Sequence, residues 1–104
     1  MKFKENAKFD PVFFLGPCGY ALSVVDGIAS HQYGYEITIT SGCEFVEKRR
    51  EGSDHYIHRA FDIRRKDFPK EFDVEVFAGR CRNALGSAWV VIVKRDHIHF
   101  GFKG

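Results

Sequence analysis

Several things are missing from this sequence, and each absence excludes something. No apolar run approaches the roughly 18 residues needed to span a bilayer, so no membrane segment is expected. Cysteine is sparse: Cys18, Cys43 and Cys81 are an odd three, and none stands in C-x-x-C spacing. Neither a disulfide framework nor a cysteine zinc knuckle is therefore indicated. The three read instead as small buried apolar residues in a reducing compartment. Excess charge of one sign is absent too. Sixteen basic and 14 acidic residues leave a net charge of +2, too even a balance to argue for nucleic acid or an anionic membrane as partner. No internal repeat, linker or low-complexity stretch divides the 104 residues, which predicts one domain over residues 1–104, built on a single core and expected to be monomeric.

An export signal is poorly supported. Lys2 and Lys4 precede the apolar Val12 to Leu15, but Glu5 and Asp10 intrude, and Pro17 and Asp26 interrupt the residues after Leu15. The expectation is synthesis that ends in the cytoplasm, with any export by a separate route.

Hydrophobic residues make up 44% of the chain, as in a globular protein. Eleven phenylalanines predict a core built on aromatic packing. Residues 1–10 are polar and read as a surface arm. From Cys18 to about Gln32, the spacing of Ala21, Leu22, Val25, Ile28 and Ala29 predicts an amphipathic helix, with Gly34 as its C-cap. Tyr35 to Thr40 alternates as a half-buried strand and runs into a Ser41-Gly42 turn. Glu44 to Gly52 reads as a solvated loop. Ala60 to Arg64 is a strand with Phe61 and Ile63 inward and Ala60, Asp62 and Arg64 on the opposite face. Pro69 is placed to open a second helix, apolar through Val74, Phe77, Ala78, Cys81, Ala84 and Leu85 and stopped by Gly86. The apolar run Ala88 to Val93 predicts a central strand covered on both faces. Asp96 to Phe102 alternates, with Ile98, Phe100 and Phe102 on one side and His97, His99 and Gly101 on the other. The expected fold is a small α+β domain with a mainly antiparallel sheet and two flanking helices.

The chemistry concentrates in two stretches, Ser53 to Ile63 and Asp96 to His99. Alone, any of their histidines or aspartates reads most simply as solvated. Together, His55, Asp62 and His99 form a set that suits three corners of a zinc tetrahedron, the fourth left for water, as in catalytic rather than structural sites.

Residues 53–63, S-D-H-Y-I-H-R-A-F-D-I, resemble the SxHxxGxAxD signature of the zinc D-alanyl-D-alanine peptidase family, which shares its fold with the hedgehog signalling domain. The terminal D-H-I-H-F is similar to the closing motif of that family, and Thr40-Ser41-Gly42 to its strand-end turn. The resemblance runs from roughly Val12 to Phe102 through about a dozen positions. It implies one zinc ion held by His55, Asp62 and His99, with Asp96 as general base. It also implies that His97 lies beside the metal, where it either hydrogen-bonds an oxyanion or is an ordinary supporting histidine. Ser53 is the substrate-binding serine of the signature. The substrate class implied is peptidoglycan stem peptides, cut by a D,D-carboxypeptidase or by an endolysin-type endopeptidase of a phage-like lytic protein. Two positions depart from the pattern. His58 replaces a glycine between the ligands, and Glu44 an arginine that grips the substrate carboxylate. Arg64, on the Asp62 face, is the expected replacement for that arginine. The departures leave room for a zinc-containing binding module without catalysis. A third reading makes Lys48-Arg49-Arg50 and Arg64-Arg65-Lys66 a nucleic-acid surface.

Overall fold

The computed structural model describes residues 1–4, 16–41, 60–69 and 72–103. Their order is β1 (Lys2–Phe3), α1 (Pro17–Tyr33), β2 (Thr38–Ser41), β3 (Ala60–Arg64), α2 (Val74–Leu85), β4 (Trp89–Val93) and β5 (His97–Phe102). The strands form one five-stranded sheet in the order β1-β2-β3-β5-β4. Only β1 and β2 run parallel; the other neighbours are antiparallel. The fold is thus the expected small α+β domain with a mostly antiparallel sheet and two helices.

Local chemistry sets the helix ends. Pro17 begins α1, where its missing N–H costs nothing. Gly34 ends it at φ 62°, a left-handed conformation that glycine adopts without Cβ strain. Gly34 N–H donates to the Ser30 carbonyl at 3.1 Å and Tyr35 N–H to the Ala29 carbonyl at 3.0 Å, so two carbonyls of the last turn are satisfied. The second helix starts later than Pro69. Asp73 caps it, its Oδ1 accepting from the backbone N–H of Glu75 at 3.0 Å and of Val76 at 3.2 Å. A carboxylate that satisfies two first-turn donors defines the start more strongly than a proline, which only tolerates that position.

Strand register explains the core. Phe61 lies opposite Phe100 and Ile63 opposite Ile98, while Val91 lies opposite Phe100 from the other side. These residues share one face of the sheet with Ile37, Ile39 and Trp89 and pack under Cys18, Leu22, Val25, Phe77 and Cys81 of the helices. Phe61 and Phe100 stack at 4.8 Å between ring centroids. A second group of rings, Tyr33, Tyr35, Phe68, Phe72 and Phe77, closes one end of the core at centroid separations of 4.3 to 5.9 Å. Among the described residues, Phe61, Phe68, Phe72, Phe77 and Phe100 go into such contacts, in offset and edge-on geometries that suit the ring quadrupole.

Two expectations need correction. Among the described residues, β4 is an edge strand rather than a central one, and Ile92 is 42% exposed. Its helix-facing side is covered and its other side is not. The outward Val91 carbonyl is taken up by Arg82, whose Nε and Nη2 donate at 3.1 and 2.8 Å, blunting an edge that would otherwise template another strand. The start of the chain is more than an arm. Lys2 and Phe3 are exposed but add a strand to β2, with Lys2 N–H donating to the Ile37 carbonyl and Lys4 N–H to the Ile39 carbonyl, both at 2.8 Å.

Candidate functional site

The sheet face opposite the helices carries the polar side chains of alternating positions. Register places Asp62 on β3 directly across from His99 on β5, and Arg64 across from His97. Side chains directly opposite in an antiparallel pair stand close enough to interact. His99 Nδ1 and Asp62 Oδ1 are hydrogen-bonded at 2.9 Å, and each side chain is 15% exposed. The other carboxylate oxygen, Asp62 Oδ2, lies 3.8 Å from His97 Nε2. At its Nδ1, His97 pairs with Asp96 Oδ1 at 2.5 Å. The four residues form one chain of contacts, His99–Asp62–His97–Asp96.

Solvent exposure separates the two carboxylates. Asp96 stands at the head of β5 and is 83% exposed, whereas Asp62 is held in the middle of the sheet. The hydrogen bond from His97 holds the Asp96 carboxyl below the usual carboxylate range, with the His97 charge adding in the same direction. Asp96 is therefore ionised at neutral pH, and the same hydrogen bond that keeps it ionised weakens it as a proton acceptor.

These groups border an open cleft of about 370 Å³ lined by Lys4, Thr40, Asp62, Arg64, Lys66, Asp96 and His97. Arg64 reaches it while sharing its Nη1 with Asp67 Oδ2 at 3.3 Å. Thr40 arrives through a β-bulge. Ile39 faces Ile63, but Ser41 already faces Asp62, so two residues of β2 oppose one of β3. Bulges re-aim side chains in this way, often beside functional sites.

Of the residues singled out in the sequence, Asp62, His99, His97 and Arg64 share one face of the sheet, Asp96 joins them at the cleft from the bend before β5, and His55 and Ser53 lie outside the described residues, as do His58 and Glu44. Among the described residues, no group of three His, Cys, Asp or Glu side chains is arranged to hold a metal ion; that part of the chain supplies two ligands of the expected set. With zinc–nitrogen and zinc–oxygen bonds of about 2.0 to 2.2 Å, adjacent corners of a tetrahedron stand about 3.3 Å apart. Asp62 Oδ1 and His99 Nδ1, at 2.9 Å, need to part by only a few tenths of an ångström to share one.

Lys4, Thr40 and Lys66 join the site without having been expected from the sequence. Lys66 carried a signal, since it continues the alternation of Asp62 and Arg64. Thr40 carried one as well, as the end of the alternating strand and the first residue of Thr40-Ser41-Gly42, whereas Lys4 carried none, because its position depends on the β1–β2 pairing. No protein-family model matches the chain, and comparisons with curated proteins and with solved structures gave no match.

Proposed function

We propose that the protein is a zinc-dependent metallopeptidase that hydrolyses peptidoglycan stem peptides. The observation that carries this reading is the convergence of Asp62 Oδ1 and His99 Nδ1 at 2.9 Å on the cleft side of the sheet. They are the two described members of a ligand set that His55 completes. When bound there, zinc supplies Lewis acidity toward a carbonyl oxygen and toward water.

The remaining steps fall to the chain's own side chains. Asp96, ionised and facing solvent at the cleft, takes a proton from the attacking water at a carboxylate oxygen and returns it to the leaving amine. His97, fixed at Nδ1 by Asp96, presents Nε2 to the cleft, where it hydrogen-bonds the oxygen that gains charge as the carbonyl is attacked. Arg64 offers a planar guanidinium to a substrate carboxylate, and Ser53 contributes a substrate-binding hydroxyl.

The test is hydrolysis of purified peptidoglycan by zinc-loaded protein, run beside Asp96→Ala. Release of peptide fragments by the parent protein is expected, with a fall of about a hundredfold or more in the variant while its zinc content stays unchanged. Zinc binding by the parent protein without any hydrolysis would instead favour a binding module that keeps the metal and has lost the chemistry. That alternative is motivated by Glu44 and His58 standing where the resemblance expects arginine and glycine.

A further inference from the structure

At one end of the core two phenol oxygens, those of Tyr33 and Tyr35, are buried without a hydrogen-bond partner among the described residues. Such groups are rare in folded proteins, because a buried hydroxyl that donates to nothing is costly. The two tyrosines are placed differently. Tyr33 lies beneath the Arg80 guanidinium of α2, 5.4 Å from the ring centroid. The Tyr35 ring packs edge-on against Phe68 at 4.8 Å between centroids, and Phe68 directly follows Asp67. Burial pushes the Tyr35 phenol up from its ordinary range, the Asp67 carboxylate adds to this and Arg64 opposes it. Both charges therefore lie within electrostatic reach of the Tyr35 hydroxyl.

The turn after β3 holds Asp67 in place and leaves Arg64 the looser partner. Phe68 N–H donates to the Arg65 carbonyl at 3.0 Å, and Arg65 Nη1 donates to the Lys94 carbonyl at 2.6 Å. Arg64 meets Asp67 through Nη1 and Oδ2 at 3.3 Å, with the Asp67 side chain 47% exposed. That contact is long, single and open to water, so it holds the guanidinium weakly. A charged donor still outcompetes a phenol for the same carboxylate, which accounts for a Tyr35 hydroxyl left over while Arg64 is in place. Arg64 also lines the cleft with Asp62, Asp96 and His97.

We propose that Asp67 exchanges donors, its carboxylate passing to the Tyr35 hydroxyl when Arg64 leaves it for an anion in the cleft. Tyr35 and Asp67 are then positioning residues that set how readily Arg64 is released. The exchange is a property of three side chains; its consequence for catalysis rests on the peptidase reading, in which Arg64 meets a substrate carboxylate. The hydroxyl gains its partner only in the occupied state. It therefore strengthens anion binding while adding nothing to the unoccupied fold.

The test titrates the full chain with sodium acetate at constant ionic strength and follows the Arg64 Nε–H signal by NMR, assigned by its loss in Arg64→Lys. A saturable shift is expected in the parent protein. Tyr35→Phe should weaken acetate binding about three- to tenfold, with a urea midpoint equal to that of the parent or higher. Tyr33→Phe should leave acetate binding unchanged. In an Asp67→Ala background, Tyr35→Phe should have no further effect on binding, since the carboxylate that couples the two groups is gone. No response of Arg64 to acetate in the parent protein, no effect of Tyr35→Phe, or an equal effect with and without Asp67 would overturn the exchange. Hydrolysis of acetyl-D-alanyl-D-alanine by zinc-loaded protein is measured separately. An acetate response that depends on Tyr35, without turnover, upholds the exchange and counts against the peptidase reading alone. Turnover with a KM that Tyr35→Phe leaves unchanged does the reverse.

Discussion

Burial in the helix–sheet core pushes the Cys81 thiol up to about 12 from its ordinary 9.0, with Arg82 pulling weakly the other way. The core accepts the neutral thiol and resists the thiolate. The contribution of Cys81 to stability is therefore complete below pH 9.0 and is lost as the pH climbs from there toward 12. Since the thiolate is the reactive form, and Cys18 is as deeply buried as Cys81, both should resist iodoacetamide at about pH 8 in the folded protein and react once guanidinium unfolds it. Peptide mapping by mass spectrometry checks this, and labelling of Cys81 in the native state would contradict it. Burial agrees with the reading of Cys18 and Cys81 as two small core residues. At the same scale, alternation alone was enough to put Asp62, Arg64, His97 and His99 on the side away from the core. Side chains along a strand have no other way to divide themselves.

Elements were readable where their signal was local. The spacing of apolar residues in α1 and the glycine at its end lie within one stretch of chain, and the helix formed within one residue of its predicted ends. The start of α2 shows what a local reading can miss. Pro69 is compatible with a helix start, but the side chain that satisfies two first-turn N–H groups belongs to Asp73. Asp73→Ala should cost about 1 kcal/mol of stability, measured by urea denaturation, with Asp73→Ser recovering most of it; no loss would show that the cap is dispensable. Strand neighbours were harder to read than strand faces. The run Trp89–Val93 is apolar enough for a strand covered on both sides, yet it lies at the edge of the described sheet with Ile92 exposed. Alternation and hydropathy report burial of a face, not which strand lies alongside. Strand β1 was invisible for a related reason: two residues have no period, and their pairing with β2 depends on contacts remote in sequence.

At the scale of the whole molecule, the sheet is the device that brings distant residues together. Asp62 and His99 are 37 positions apart and become neighbours only because β3 and β5 pair in the observed register. A shift of one residue would send one of them into the core and the other out. The helices fix which face is buried and so leave the opposite face open. The cleft was only partly legible beforehand: its β3 and β5 walls followed from alternation, while Lys4 arrived through strand pairing. The central claim is that this register makes half of a metal site. Its most direct test is the metal content of the purified protein after dialysis with zinc, by plasma mass spectrometry, beside Asp62→Ala and His99→Ala. About one zinc per chain is expected in the parent protein, lost in both variants while each stays folded by circular dichroism. A parent protein that retains no zinc, or two variants that hold it as firmly as the parent, would contradict the claim.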